Sequence, residues 1–222
     1  PEVDIKRGVE NTSGPLGQGH TYAVGAAIAA KFLKARFGEV MNQTIYTFIS
    51  DGGIQEEISQ GAGRVAGTLG LDNLIMFYDS NNIQLSTKVD EVDSENVAMK
   101  YEAWGWKVIT INGNDVAEIR AALTAAKAET EKPTLIIGNT LMGKGAVDAA
   151  NGCYANKVST HGQPLTAAGA SIENTIKNLG GNPEAPFTIF PEVAELYAKR
   201  AEELKKIVAG KYAAKAEWAK AN

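Results

Sequence analysis

The chain of 222 residues carries one cysteine, Cys153, so no disulfide can form within it, and a reducing cytoplasm suits it. No apolar run reaches the length of a bilayer span, and no secretory signal opens the chain; both argue against a membrane protein. Positive charge is not in excess. Against 26 Asp and Glu there are 22 Lys and Arg, a net of −4, which disfavours nucleic acid or an anionic lipid surface as partner. Internal repeats and low-complexity tracts are absent, which excludes repeat architectures. An initiating methionine is missing as well: Pro1 leads at once into motif-like sequence, and a fragment or a processed chain is expected. What remains is ordinary for a soluble globular protein, 44% hydrophobic and 22% charged, with length for one large domain or two small ones.

The chain is organised around residues 50 to 83, SDGGIQEEISQGAGRVAGTLGLDNLIMFYDSNNI. TIYTF (Thr44 to Phe48) precedes it, β-branched and aromatic, and reads as a buried strand. Asp51-Gly52-Gly53 breaks that run, Ile54 to Leu69 has helical spacing, and Leu74 to Tyr78 is a second apolar run closed by Asp79-Ser80-Asn81-Asn82. Strand, helix, strand over this length is a βαβ unit, whose two strands are parallel and end on the same edge of the sheet. Asp51 and Asn81 therefore converge at that carboxyl edge. A carboxylate oxygen beside an amide oxygen is a hard donor set, suited to Mg²⁺ or Ca²⁺ with a phosphate-bearing ligand. A helix starting just after Gly52-Gly53 would turn its free N–H groups and positive dipole end towards that phosphate. Taken singly, Asp51-Gly52 reads as a turn and Asn81-Asn82 as a loop; their matched placement on one unit points to a metal-diphosphate site.

Upstream, Gly8 to Gly19 (GVENTSGPLGQG) is a glycine-rich loop whose backbone can approach a ligand closely, or else a linker into a helix. Its spacing is neither Gly-x-Gly-x-x-Gly nor that of a P-loop. Tyr22 to Phe37 is Ala-rich and apolar nearly all round, a helix buried on most sides, with Gly38 as its C-cap. His20, beside its start, is given no role. Downstream, Ser94 is expected to cap a helix running to Ala103, Trp104 to Ile111 a strand, Asp115 the N-cap of an amphipathic helix over Val116 to Ala128, and Pro133 to Asn139 another buried strand. This alternation predicts an α/β fold, a parallel sheet with helices on both faces. Leu141 to Leu165 is long, Gly-rich and aperiodic, the kind of loop that carries function; it contains His161. Lys144 within it reads as a solvated lysine or a phosphate contact. Thr166 to Leu179 is expected to be a helix, and Pro191 to Trp218 an amphipathic surface helix.

An acidic-glycine turn followed one unit later by Asn resembles the thiamine-diphosphate fingerprint, and SDGGIQEEIS…AGTLGLDNLIMFYDSNNI resembles transketolase in particular. GVENTSGPLGQG and His161-Gly162-Gln163-Pro164-Leu165 resemble signatures of the same family, in the same order along the chain. The resemblance implies the thiamine-diphosphate-binding fold, a diphosphate-binding α/β domain over residues 1–190, N-terminally incomplete, and a C-terminal amphipathic helix or linker over 191–222. It implies thiamine diphosphate with Mg²⁺ or Ca²⁺ as cofactors, the metal held by the side chains of Asp51 and Asn81 and the carbonyl of Ile83. Cofactor contacts would come from Gly14, Leu16 (whose backbone meets the aminopyrimidine), Ser50, Gly52, Asn81, Ile83 and His161. His161 would reach the diphosphate and the reacting centre, and Glu56 would stand near the cofactor and a dimer interface, making these two the catalytic candidates.

Two positions depart from the family. Ser50 replaces a glycine, so its Cβ crowds the approach to the diphosphate or its hydroxyl adds a hydrogen bond; Gly61 stands where many members have a second carboxylate, which tells against a proton relay through that position and Glu56. The implied activity is transfer of a two-carbon unit between sugar phosphates such as xylulose 5-phosphate and ribose 5-phosphate. It calls for a pyrimidine-binding domain or subunit that no stretch here resembles, in a homodimer. Two other readings stand beside it: another thiamine-dependent enzyme, such as a deoxyxylulose-phosphate synthase or a 2-oxo acid dehydrogenase, and a non-catalytic metal- or nucleotide-binding module.

Overall fold

The computed structural model describes residues 3–7 and 14–221. Gly8 to Ser13, the first half of the glycine-rich signature, lies outside the described residues. Four strands form one sheet in the order β1-β2-β4-β3: β1 Ile45–Ser50, β2 Leu74–Ser80, β3 Lys107–Asn112 and β4 Thr134–Asn139. Every pairing is parallel. Ser50 pairs with Asp79 and Ser80 with Asn139, so the carboxyl ends of β1, β2 and β4 finish level.

Alternation along the strands divides the core. Leu74, Met76, Tyr78, Leu135 and Ile137 face one side, where α1 (Gln18–Phe37), α3 (Glu57–Thr68) and α4 (Val97–Ala103) supply Ala23, Ala27, Ala62, Ala66 and Tyr101. Ile75, Ile111 and Ile136 face the other, against Ala122 and Ala126 of α5 (Val116–Lys127). The small residues on α1 and α3 let both helices settle close to the strands and to each other. β2 and β4, central in the sheet, are buried on both faces, as an apolar run without polar alternation requires. At the edge, β1 leaves Tyr46 and Phe48 exposed, and Phe48 touches only the rim of the second layer, its ring 5.9 Å from that of Phe77.

Several expected boundaries move. The run read as one helix over Ile54 to Leu69 is two, α2 (Asp51–Gln55) and α3, because Glu56 between them is extended at φ −65°, ψ 132°. The first helix begins at Asp51 rather than after Gly53, since Ser50 caps it by accepting from the Gly53 N–H at 3.3 Å. Asn96, not Ser94, caps α4 through Met99 N at 3.0 Å. Strand β3 starts only at Lys107, because Gly105 turns the chain at φ 89°. Asp115 caps α5 as expected, accepting from Ala117 and Glu118. Gly169, at φ 101°, splits the next expected helix into α6 (Leu165–Ala168) and α7 (Ile172–Asn178).

The Gly-rich loop before them is not loose. Asp148 gathers the N–H groups of Ala150 and Gly152, and Thr175, Asn178 and the Ser171 N–H bond Val147 and Gly145. Helix α8 (Pro191–Ala221) has no buried residue; its far end packs Trp218 edge-on against Phe37, ring centroids 5.5 Å apart. Among the described residues no helix is long and apolar enough to cross a membrane.

Candidate functional site

Asp51 opens α2 at the carboxyl edge of the sheet, and its carboxylate is buried, with 2% of the residue exposed. Tyr78 Oη donates to one oxygen at 2.6 Å and the Asn81 N–H to the other at 3.1 Å. The two ends of the βαβ unit therefore do meet, through the backbone of Asn81. The amide oxygen of Asn81 turns into its own loop and accepts from Ile83 N at 2.9 Å, an Asx turn, while Asn82 adopts the left-handed region at φ 64°. Asn82 is tied in turn to Asp90 through both its amide atoms, and Ile83 is buried. The loop that would present the Asn81 oxygen and the Ile83 carbonyl is thus a bonded unit.

Burial pushes the Asp51 carboxyl above the usual range; the hydrogen bonds from Tyr78 and the Asn81 backbone pull against it, and Asp79 adds a further upward push. A carboxylate held buried with incomplete compensation is what the charge of a bound cation would offset. The donor set that the resemblance implies, the Asp51 carboxylate with the amide oxygen of Asn81 and the main-chain carbonyl of Ile83, would suit Mg²⁺ or Ca²⁺ completed by phosphate oxygens and water. Among the described residues no three His, Cys, Asp or Glu side chains gather to hold a metal of another kind. A cleft of about 500 Å³ opens beside Asp51 and Tyr78, rimmed by Asp90, Asp93 and Glu95.

The other anchors come to the same edge. Leu16 lies against Gly52: a Cβ at that glycine would stand 3.2 Å from Leu16 Cδ1. Gly14 is exposed in the same loop. Gly17, directly after Leu16, has φ 84° and a Cβ there would come within 2.7 Å of Ile58 and 2.8 Å of Ser59, so only glycine fits. Glu56 sits exposed in the extended break between α2 and α3, beside Gly17. Ser50 spends its hydroxyl on the cap of α2, which answers for the substituted glycine with a hydrogen bond. His161 follows a short 3-10 turn, Val158–Thr160, and its loop reaches Leu85, 3.8 Å from a Cβ position at Gly162. Its Nδ1 is buried without a hydrogen-bond partner among the described residues. Lys144 reaches the Asn114 carbonyl at 3.4 Å.

Tyr78 and the Gln55–Gln84 pair (3.2 Å), which ties α2 to the loop after Ile83, are parts of this edge that sequence reasoning missed. The signal for Tyr78 was present, a phenol ending an aliphatic strand on the face that Asp51 enters. No local pattern marks the glutamines.

The parallel α/β domain brings an acidic turn and an amide loop level at one edge, the arrangement that the resemblance to the thiamine-diphosphate class implies. The family described as transketolase, thiamine diphosphate binding domain, matches residues 1–222, and the chain belongs to it. It is 41% identical over 207 residues to the plasmid-borne transketolase of Cupriavidus necator, a match covering 91% of this chain and 30% of that protein. It is similar to the solved transketolase of Leishmania mexicana (TM-score 0.87, 30% identity, 96% of this chain and 32% of that one). A transketolase of Pichia stipitis in complex with sedoheptulose 7-phosphate gives TM-score 0.85 at 33% identity, over 95% of this chain and 31% of that one. The chain thus spans about 30% of the length of the relatives it matches. Membership in this family disfavours the readings as another thiamine enzyme or a non-catalytic module.

Proposed function

We propose that this chain is the diphosphate-binding part of a transketolase, working with a pyrimidine-binding domain or subunit in a cytoplasmic homodimer of the pentose phosphate pathway. The observation that carries the reading is the meeting of the Asp51 carboxylate with the Asn81–Ile83 loop at one sheet edge, 3.1 Å from carboxylate oxygen to backbone nitrogen. Asp51, the Asn81 amide oxygen and the Ile83 carbonyl would hold Mg²⁺ or Ca²⁺, and Ser50, Gly52 and Asn81 would border the diphosphate, with Gly14 and Leu16 at the pyrimidine end. Thiamine diphosphate supplies the carbanion chemistry that moves a two-carbon ketol unit from a ketose phosphate, such as xylulose 5-phosphate, to an aldose phosphate, such as ribose 5-phosphate.

The chain's own contributions are to bind, to orient and to manage protons. His161 would donate to a phosphate or to oxygen gaining charge in the reacting sugar. The solved sugar-phosphate complex of the Pichia relative supports this substrate class. Glu56, exposed beside the Leu16 loop, would act across the interface with the pyrimidine-binding domain. Calorimetry of the full-length protein tests the reading: thiamine diphosphate with Mg²⁺ should bind in the micromolar range or tighter, and ATP and NAD should not. Tighter binding of either nucleotide would overturn it.

A further inference from the structure

The Leu16 loop and the Ser50–Gly53 turn belong to different elements, and a buried polar pair away from the metal ligands ties them together. His20, in the first turn of α1, is 6% exposed, and its Nδ1 lies 2.6 Å from Ser59 Oγ on α3. Ser59, 1% exposed, donates onward to the Gly53 carbonyl at 2.7 Å. With the Ser59 proton on Gly53, Nδ1 carries the imidazole proton and donates to Ser59. The chain of bonds thus runs from the helix that follows Leu16 to the turn that follows Asp51. Gly17 is pressed onto the same junction, within contact of Ser59.

Packing alone does not call for such a pair. Apart from Thr47 and Ser59 itself, the small cavity beside His20 is walled by apolar groups such as Ala23, Val24, Leu74 and Met76, where an apolar side chain of similar volume would fill the space without burying an imidazole. Burial also drives the imidazole down to about 4, so it stays neutral near pH 7 and serves as a strut rather than a proton carrier.

We propose that His20 and Ser59 are positioning residues for the cofactor, holding the Leu16 loop and the Ser50–Gly53 turn at the separation that thiamine diphosphate spans. The proposal rests on the functional reading above. It predicts a split between ligands. Thiamine diphosphate must meet both segments at once, whereas inorganic pyrophosphate meets only the turn and its metal.

The test is calorimetry on the full-length protein with Mg²⁺, with thiamine diphosphate and pyrophosphate as separate titrants. His20→Leu should raise the Kd for thiamine diphosphate about tenfold or more and leave that for pyrophosphate within about twofold, since losing a placed hydrogen bond is worth about that factor. Asn, whose amide nitrogen can stand near the Nδ1 position, should restore most of the affinity in His20→Asn. Ser59→Ala removes one oxygen and should give the same split; it carries the test should His20→Leu not fold. Thiamine diphosphate affinity within twofold of the parent in the folded variants, or parallel loss for both ligands, would overturn the proposal. A parent protein that binds no thiamine diphosphate would instead overturn the functional reading itself.

Discussion

Asp51 and His20 are both buried ionisable groups, and the fold treats them in opposite ways. For His20 the folded state lowers the pKa from 6.5 to about 4, chiefly by burial, so protonation is easier in the unfolded chain. Stability from the neutral ring is complete above about pH 6.5 and is lost as pH falls towards 4. His20→Leu should therefore flatten the acid limb: in urea titrations between pH 7 and 4.5 the parent's midpoint should fall more than the variant's, and equal falls would contradict the assignment. Asp51 has the reverse sign. Its carboxyl is raised, so the folded state gains stability below the unfolded pKa and loses it as pH rises, until a cation compensates the charge. The place of Asp51 at the carboxyl edge was legible in the sequence because strand, helix and strand in succession put both strand ends on one edge. The tie from His20 to Ser59 was not, because it joins residues 39 positions apart that no period relates.

At the scale of elements, the βαβ frame, the parallel sheet and the cap at Asp115 were legible because each follows from a repeat of two or of about four residues, or from one side chain and its neighbours. The break at Glu56 was not. Apolar residues at Ile54, Ile58, Ala62 and Ala66 keep helical spacing straight through it, and what splits the run is tertiary: Ser59 reaching back to Gly53, and Gly17 wedged beside Ile58. Helix α3 offers a paired test of its packing. At Gly67 a Cβ would stand 1.8 Å from the Trp104 carbonyl oxygen, whereas at Gly61 the nearest atom is the Arg64 guanidinium at 4.0 Å. Gly67→Ala should cost about 1–3 kcal/mol or more through overpacking, a fall in Tm of several degrees. Gly61→Ala should gain about 1 kcal/mol from helix propensity, a small rise. Thermal unfolding followed by circular dichroism separates them, and similar Tm values for the two variants would count against the close approach of α3 to Trp104.

Across the whole molecule, the second face of the sheet is covered by α5 over β3 and β4 but not over β1, where Phe48 is 77% exposed, and α8 buries no residue. The site edge is likewise built from one side only: on the reading proposed above it would hold the metal and diphosphate and bring His161 to them, with no second carboxylate at Gly61. A chain spanning about 30% of its relatives' length should therefore bind thiamine diphosphate weakly by itself and turn over no sugar phosphate. A coupled assay of the 222-residue chain with xylulose 5-phosphate and ribose 5-phosphate checks this, and robust turnover would contradict it. The account as a whole depends on one carboxylate. The most direct measurement is the affinity of the full-length protein for thiamine diphosphate, with and without Mg²⁺, in the parent and in Asp51→Asn. Binding should require the metal in the parent and weaken by about a hundredfold or more in the variant, at or above the cost of losing an outer-shell metal partner, with the cofactor-free Tm within a few degrees. Metal-independent binding, or equal affinity in parent and variant, would contradict it.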